Sequence, residues 1–372
     1  MKNEKWNYVS KEKQSTGYED IIGELKSYTK ESYSKMSEKE REEVCSEVLK
    51  LYRSKNIYPI IYYNEEGIRE EILKCVNKDV AFDGEVLNLK FNQGQSLCRF
   101  LMPNLHSVKV KGSNNNDMLS RFYDDHKLKR AIDFSLRFKK SVTPSEIRTS
   151  LEMIGGGFAT NYKTMNAKAL FEHFTPENGV IYDFAGGFGG RMLGALSSKN
   201  NYTYIAVEPC EDTYNNLINL GEHIENTIGR NNTYKLHKMG SEEFKGEKHS
   251  VDFAFSSPPY FNLEQYSSEE TQCYVKYPTL EEWFEGYVRP TIQNIHHMLK
   301  NECYYAVNIA DFNVGKERVE FVNKWIEMSI EEGFVFEKVI TMKLQTRRGA
   351  GHKEDGVDKD KKEGIYVFKK IK

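Results

Sequence analysis

From residue 179 to its end the chain alternates short apolar runs with amphipathic ones, and that rhythm restricts the fold more than any other feature. "GVIYDFAGG" reads as a strand entering a glycine-rich turn, and "RMLGALSS" as the helix that follows. "YTYIAVEP", "NTYKLHKM", "VDFAFSS" and "CYYAVNIAD" read as further strands. They are separated by helical segments at "CEDTYNNLINLGEHI", "LEEWFEGYVRPTIQNIHHML" and "KERVEFVNKWIEMSIEEG". Strands that alternate with helices pair in parallel, because each crossover helix returns the chain to the same edge of the sheet. The last two strands, "FVFEKVITMKL" and "GIYVFKK", have no helix between them and are expected to form an antiparallel hairpin. The spacing therefore predicts an α/β fold with a doubly wound, mostly parallel sheet.

The earlier part of the chain lacks this rhythm. "SEKEREEVCSEVLKLYRSK" places Ser37 three residues before Glu40, the spacing of a capping box, and then repeats apolar residues at helical intervals. A second helix is expected over "EEGIREEILKCV", and short strands over "EVLNLKF" and "HSVKVKG". "TPSE" then sets Thr143 as N-cap, Pro144 at the first helical position and Glu146 at the box position, so a new helix begins there. We expect an α-rich N-terminal domain over 1–142 and a second domain over 143–372. At 372 residues the chain is long enough for both.

Net charge is −2, so contact with a polyanion would have to come from a local patch. The six cysteines form no C-x-x-C pair, which suggests neither a zinc site nor a disulfide framework, and no metal is expected. Apolar stretches fall far short of a membrane span and the first residues are polar, so the expected location is the cytoplasm, away from any membrane.

Three short segments carry the chemistry. In "DFAGGFGGRM", Asp183, Ala185, Gly186, Gly187 and Gly189 lie where a strand becomes a helix. Glycines there let backbone amides approach a ligand, and a helix N-terminus favours strong acceptors. The next strand ends in Glu208 and Pro209, where a carboxylate can accept both hydroxyls of a ribose. The G-x-G-x-x-G dinucleotide pattern is broken at Met192, and G-K-[ST] is missing, so neither a pyrophosphate nor a triphosphate is indicated. The third segment is "SPPY", Ser257, Pro258, Pro259 and Tyr260, at the end of the fourth strand. Two prolines fix two φ angles and remove two donors. Read alone, such a corner is also consistent with a stiff turn or a ligand for a proline-binding module.

Taken in order, "DFAGGFGG", "VEP" and "SSPPY" resemble the S-adenosylmethionine-dependent DNA methyltransferases that modify exocyclic amino groups, whose catalytic motif is [DNS]-P-P-[YFW]. The likeness spans about residues 158–372. It implies a Rossmann-like methyltransferase fold, S-adenosylmethionine as cofactor and double-stranded DNA as partner, with a restriction nuclease as a possible cognate component. It implies catalytic roles for Ser257, Pro258, Pro259 and Tyr260, with Tyr260 stacking on a target base rotated out of the duplex. The segment "ATNYKTMNAKALFEHF" looks like the one that completes the cofactor pocket in that family, which points to Asn161 and Tyr162. "MGSEEF" resembles the third cofactor segment, with Ser241 or Glu242 near the adenine. Ser257 at the head of the motif resembles the cytosine-N4 members more than the adenine-N6 members. Where many relatives have Asp-Pro-Phe, this chain has Asp183-Phe184-Ala185.

Phosphates could be held by the basic stretch 127–148, through Lys129, Arg130, Lys139 and Lys140, or by Arg347 and Arg348 in the long connection of the final hairpin. A solvated surface is the alternative for both. Asp311, after "NIA", is expected either to help hold the target loop or to cap the following helix. Two other functions stay open: methylation of RNA or of a protein glutamine, and non-catalytic DNA binding with a retained cofactor pocket.

Overall fold

The computed structural model describes residues 11–88, 90–111, 117–139, 142–229, 231–343 and 362–371, with side chains from Tyr18 onward. Arg347, Arg348 and Lys140 lie outside the described residues. Twelve strands occur among those described. They are β1 (Val86–Leu87), β2 (Lys109–Val110), β3 (Val180–Asp183), β4 (Thr203–Val207), β5 (Thr233–His237) and β6 (Val251–Ser256). The others are β7 (Glu264–Gln265), β8 (Leu299–Ile309), β9 (Phe312–Val314), β10 (Glu317–Val319), β11 (Phe334–Lys343) and β12 (Lys362–Lys370).

By internal contacts the chain divides into two units. One comprises Met1–Ile68, Arg99–Thr160 and Glu264–Tyr266, and the other Arg69–Cys98, Asn161–Leu263 and Ser267–Lys372. The division does not fall at 142/143. The helix Pro144–Ile154, expected to open the second domain, groups with the first unit, and 69–98 groups with the second.

The first unit is built mainly from helices. Ser37 caps Glu38–Lys55 through the expected box, and Thr143 accepts from the Glu146 amide at the start of Pro144–Ile154. Its core joins Tyr33, Val48, Tyr52, Phe122, Leu128, Ile132, Ile147 and Leu151.

The second unit holds an eight-stranded sheet in the order β1-β11-β12-β8-β6-β3-β4-β5. β3, β4, β5, β6 and β8 pair in parallel, and β12 runs antiparallel to both β8 and β11. This is the Rossmann-like, doubly wound and mostly parallel α/β sheet expected from the sequence, closing on the expected antiparallel hairpin. β6 is buried at every residue, as a central strand covered on both faces must be. Two local expectations fail. "EVLNLKF", expected in the N-terminal domain, supplies β1, which pairs with β11 of the large sheet. The helix expected from Lys316 begins only at Phe321, because Phe312–Val319 first forms the hairpin of β9 and β10 around Gly315 at φ 64°.

Candidate active site

β3, β4 and β6 are neighbours with a common direction, so their C-terminal ends share one edge of the sheet. At that edge lie the glycine turn after β3, the Glu208 corner after β4 and the proline corner after β6.

The turn after β3 is shaped by its glycines. Gly187 and Gly189 adopt φ of 58° and 78°, which side chains rarely do, and Gly189 caps the helix Gly190–Leu196. Gly190 has another reason: a Cβ there would lie 2.1 Å from the Tyr162 carbonyl oxygen. The Asn161 amide brackets the turn, donating to the Phe188 carbonyl at 2.8 Å and accepting from the Gly190 amide at 3.3 Å. Tyr162 packs inward, its ring 5.4 Å edge-on from Phe255, while its carbonyl accepts from Gln95 at 3.0 Å. Both residues therefore build the turn's support.

Asp183 is fully buried and held by the protein. Its Oδ2 accepts from Arg191 Nε at 2.7 Å and from the Tyr204 hydroxyl at 2.6 Å, and its Oδ1 accepts from the Ala185 amide at 3.2 Å. Arg191 also donates to the Ala185 carbonyl. Arg191 was not singled out in the sequence, although one signal was there. A cation in the first turn of a helix opposes the helix dipole and needs a nearby anion to explain it.

Glu208, 9% exposed, accepts from the amides of Gly187 at 2.9 Å and Cys210 at 3.0 Å. Burial raises its pKa to about 7 against the pull of those two amides. The Pro209 carbonyl accepts from Thr271 at 3.1 Å. In the third segment, Ser241 is buried with its hydroxyl 2.7 Å from that of Thr291. Glu242 instead pairs with Lys276 through one oxygen at 2.8 Å, and its other oxygen is buried with no partner among the described residues. Of the two candidates in that segment, Glu242 alone holds a buried, unused acceptor.

In the proline corner, Ser256 donates to the Ala185 carbonyl at 3.3 Å, which ties the end of β6 to the glycine turn. The Ser257 hydroxyl donates to the Asn308 carbonyl at 3.2 Å. With its hydrogen directed there, its lone pairs are left to accept. Pro258 is buried, and Pro259 and Tyr260 are partly exposed. The Tyr260 ring is packed edge-on by Phe312 at 5.9 Å and Phe321 at 5.6 Å, on the same sheet edge as Glu208. Asp311 accepts from the Val322 amide at 3.1 Å and pairs with Arg318 at 2.9 Å, so it caps the helix Phe321–Glu331. That helix and β9 supply the two rings behind Tyr260.

Among the candidates for phosphate contact, Lys129 pairs with Glu42 and Lys139 with Glu146, each at 2.7 Å, while Arg130 is exposed. Among the described residues, no group of three or more His, Cys, Asp or Glu could hold a metal ion. None of the described helices is long and apolar enough to cross a membrane.

No protein-family model matches the chain, and neither does any curated protein sequence. Solved structures similar to it include an S-adenosylmethionine-dependent methyltransferase from Methanosarcina mazei, at 12% identity, 54% of this chain, 97% of that one and TM-score 0.36. A methyltransferase from Pyrococcus furiosus matches at 15% identity, 61% of this chain, 93% of that one and TM-score 0.38. A putative RNA methyltransferase from Pyrococcus horikoshii matches at 18% identity, 56% of this chain, 81% of that one and TM-score 0.33.

Proposed function

We propose that the chain is an S-adenosylmethionine-dependent methyltransferase acting on an exocyclic amino group of a base in double-stranded DNA, with cytosine N4 favoured over adenine N6. One observation carries this reading: the glycine turn and the proline corner lie side by side on one sheet edge, joined by the Ser256–Ala185 hydrogen bond.

The residues suit a nucleoside-bearing cofactor. The turn offers backbone without side chains at Gly186 and Gly187; among the described residues, Glu208 offers a carboxylate held only by amides, and Glu242 a buried acceptor with no protein partner. Glu208 would hold the ribose hydroxyls and Glu242 the adenine amino group. The cofactor, when bound, supplies an electrophilic methyl group.

The amino nitrogen of a nucleobase is a weak nucleophile because its lone pair is delocalised into the ring. Ser257 Oγ and the Pro258 carbonyl would accept its two hydrogens and draw it towards tetrahedral geometry. The Asn308 carbonyl keeps the Ser257 hydrogen out of the way, so Ser257 meets the amine as an acceptor. Tyr260 presents a ring for stacking on the extruded base, and Phe312 and Phe321 hold that ring on edge.

Incubating the protein with methyl-labelled S-adenosylmethionine and duplex DNA tests the reading. Digestion of the DNA should yield labelled N4-methylcytosine. Label found only in RNA or in protein would overturn the DNA assignment. Binding of S-adenosylmethionine with no transfer to DNA, RNA or protein would favour a non-catalytic role.

A further inference from the structure

The Ala185 carbonyl receives two donors, from different directions in the fold. Ser256, fully buried at the last position of β6, donates to it at 3.3 Å, and Arg191, from the first turn of the following helix, donates to it as well. On the other side of the same residue, the Ala185 amide is fixed to Asp183, which is itself paired with Arg191. Ala185 is thus held by a closed ring of Asp183, Arg191 and backbone, and Ser256, the residue immediately before Ser257, attaches that ring to the proline corner. A ring of this kind leaves the turn few ways to shift without breaking a charged hydrogen bond in a buried place.

We propose that Ser256 and Arg191 are positioning residues that set the spacing between the cofactor turn and the proline corner through their shared acceptor, the Ala185 carbonyl. The proposal rests on the methyltransferase reading for its consequence. In-line transfer needs the electrophilic carbon and the amine nitrogen within about 3–3.5 Å, and a misplacement of about 1 Å can cost about 100-fold in rate. Arg191 further maintains the turn, because its charge balances Asp183; Ser256 bears on spacing alone.

The test uses the full chain and Ser256→Ala, which removes one donor from the carbonyl and leaves the ion pair in place. Three quantities are measured against wild type: affinity for S-adenosylhomocysteine, the single-turnover rate at saturating S-adenosylmethionine, and hydrogen exchange of the amides of Ala185, Gly186 and Gly187. We expect affinity within about 3-fold, a rate lower by about 10-fold or more, and exchange faster by about 5-fold, the loss of one neutral hydrogen bond. Arg191→Lys keeps the charge but not the two-direction donation. It should reproduce the faster exchange and lower both rate and affinity. A wild-type rate in Ser256→Ala overturns the proposal, as does a reduced rate with unchanged exchange. If wild type transfers no methyl group to DNA, RNA or protein, the functional reading falls, and exchange alone decides the tether: faster supports it, unchanged overturns it.

Discussion

Asp183 and Glu208 sit at the ends of adjacent parallel strands, both buried, yet their surroundings differ. Asp183 has a guanidinium and a phenol on one oxygen and an amide on the other, whereas Glu208 has two backbone amides and, among the described residues, no cation hydrogen-bonded to it. The first carboxylate is fully occupied within the protein. The second is desolvated and only partly compensated, and its pKa rises to about 7. The contrast teaches how to tell a structural acid from a ligand-ready one: charge compensation marks the former, and its lack at a strand's C-terminal end the latter.

The largest expected effect breaks the compensated side. Asp183→Asn leaves Arg191 buried without its counter-ion, and urea denaturation should show a loss of about 3–5 kcal/mol. Replacing both, as Asp183→Leu with Arg191→Met, should recover much of it. A single-variant loss below about 1 kcal/mol would end the comparison.

Glu208 gives the next effect through pH. The folded protein holds a proton there up to about pH 7, whereas the unfolded chain releases it near the ordinary glutamate value of 4.5. The folded state therefore binds more protons between those limits, and stability falls as pH rises from about 4.5 to about 7, by roughly 3 kcal/mol from this group. Below the lower limit both states are protonated and the contribution is complete. Glu208→Gln should flatten that segment in urea titrations across pH, and an unchanged slope would remove Glu208 as its source. If the ionised form holds the ribose, affinity for S-adenosylhomocysteine should increase as pH rises through about 7.

Tyr260→Ala sharpens the comparison from the substrate side. Loss of a stacking ring, at about 1–3 kcal/mol, should slow transfer by roughly 5- to 150-fold with the cofactor affinity unchanged. A matched fall in affinity would show that the aromatic corner and the carboxylate corner are not separate. The smallest effect belongs to Gly187→Ala. The φ there is 58°, and the nearest atom to an added Cβ is 3.5 Å away, so the cost is backbone strain without a clash, about 1–2 kcal/mol in a thermal or urea melt.

The sheet and its closing hairpin were legible because strand and helix periods alternate clearly from Gly179 onward. The glycine turn, Glu208 and the proline corner were legible because special backbone and a strand-end carboxylate leave local marks in sequence. What escaped was non-local. β1 pairs with residues 341 and 342, far along the chain, and no local pattern records that partner. The helix Phe321–Glu331 takes its cap from Asp311, ten residues ahead of its first residue, so no N-cap signal stands at its start. Ser241, which the resemblance placed near the adenine together with Glu242, has its hydroxyl 2.7 Å from that of Thr291 on a later helix, a contact no local pattern records. Arg191 left only an indirect mark, its place in a first helical turn, and the carboxylate that explains it stands eight residues earlier on another element.

The placement of β12 has a consequence for how the molecule is made. Lys362–Lys370 lies between β8 and β11, so the sheet's interior is completed by a segment that emerges after both of its neighbours. On the ribosome, β8 and β11 must wait with unpaired backbone facing each other until that segment arrives. A nascent chain stopped before residue 362 would expose two strand edges at once, the kind of surface that chaperones occupy and that aggregation exploits.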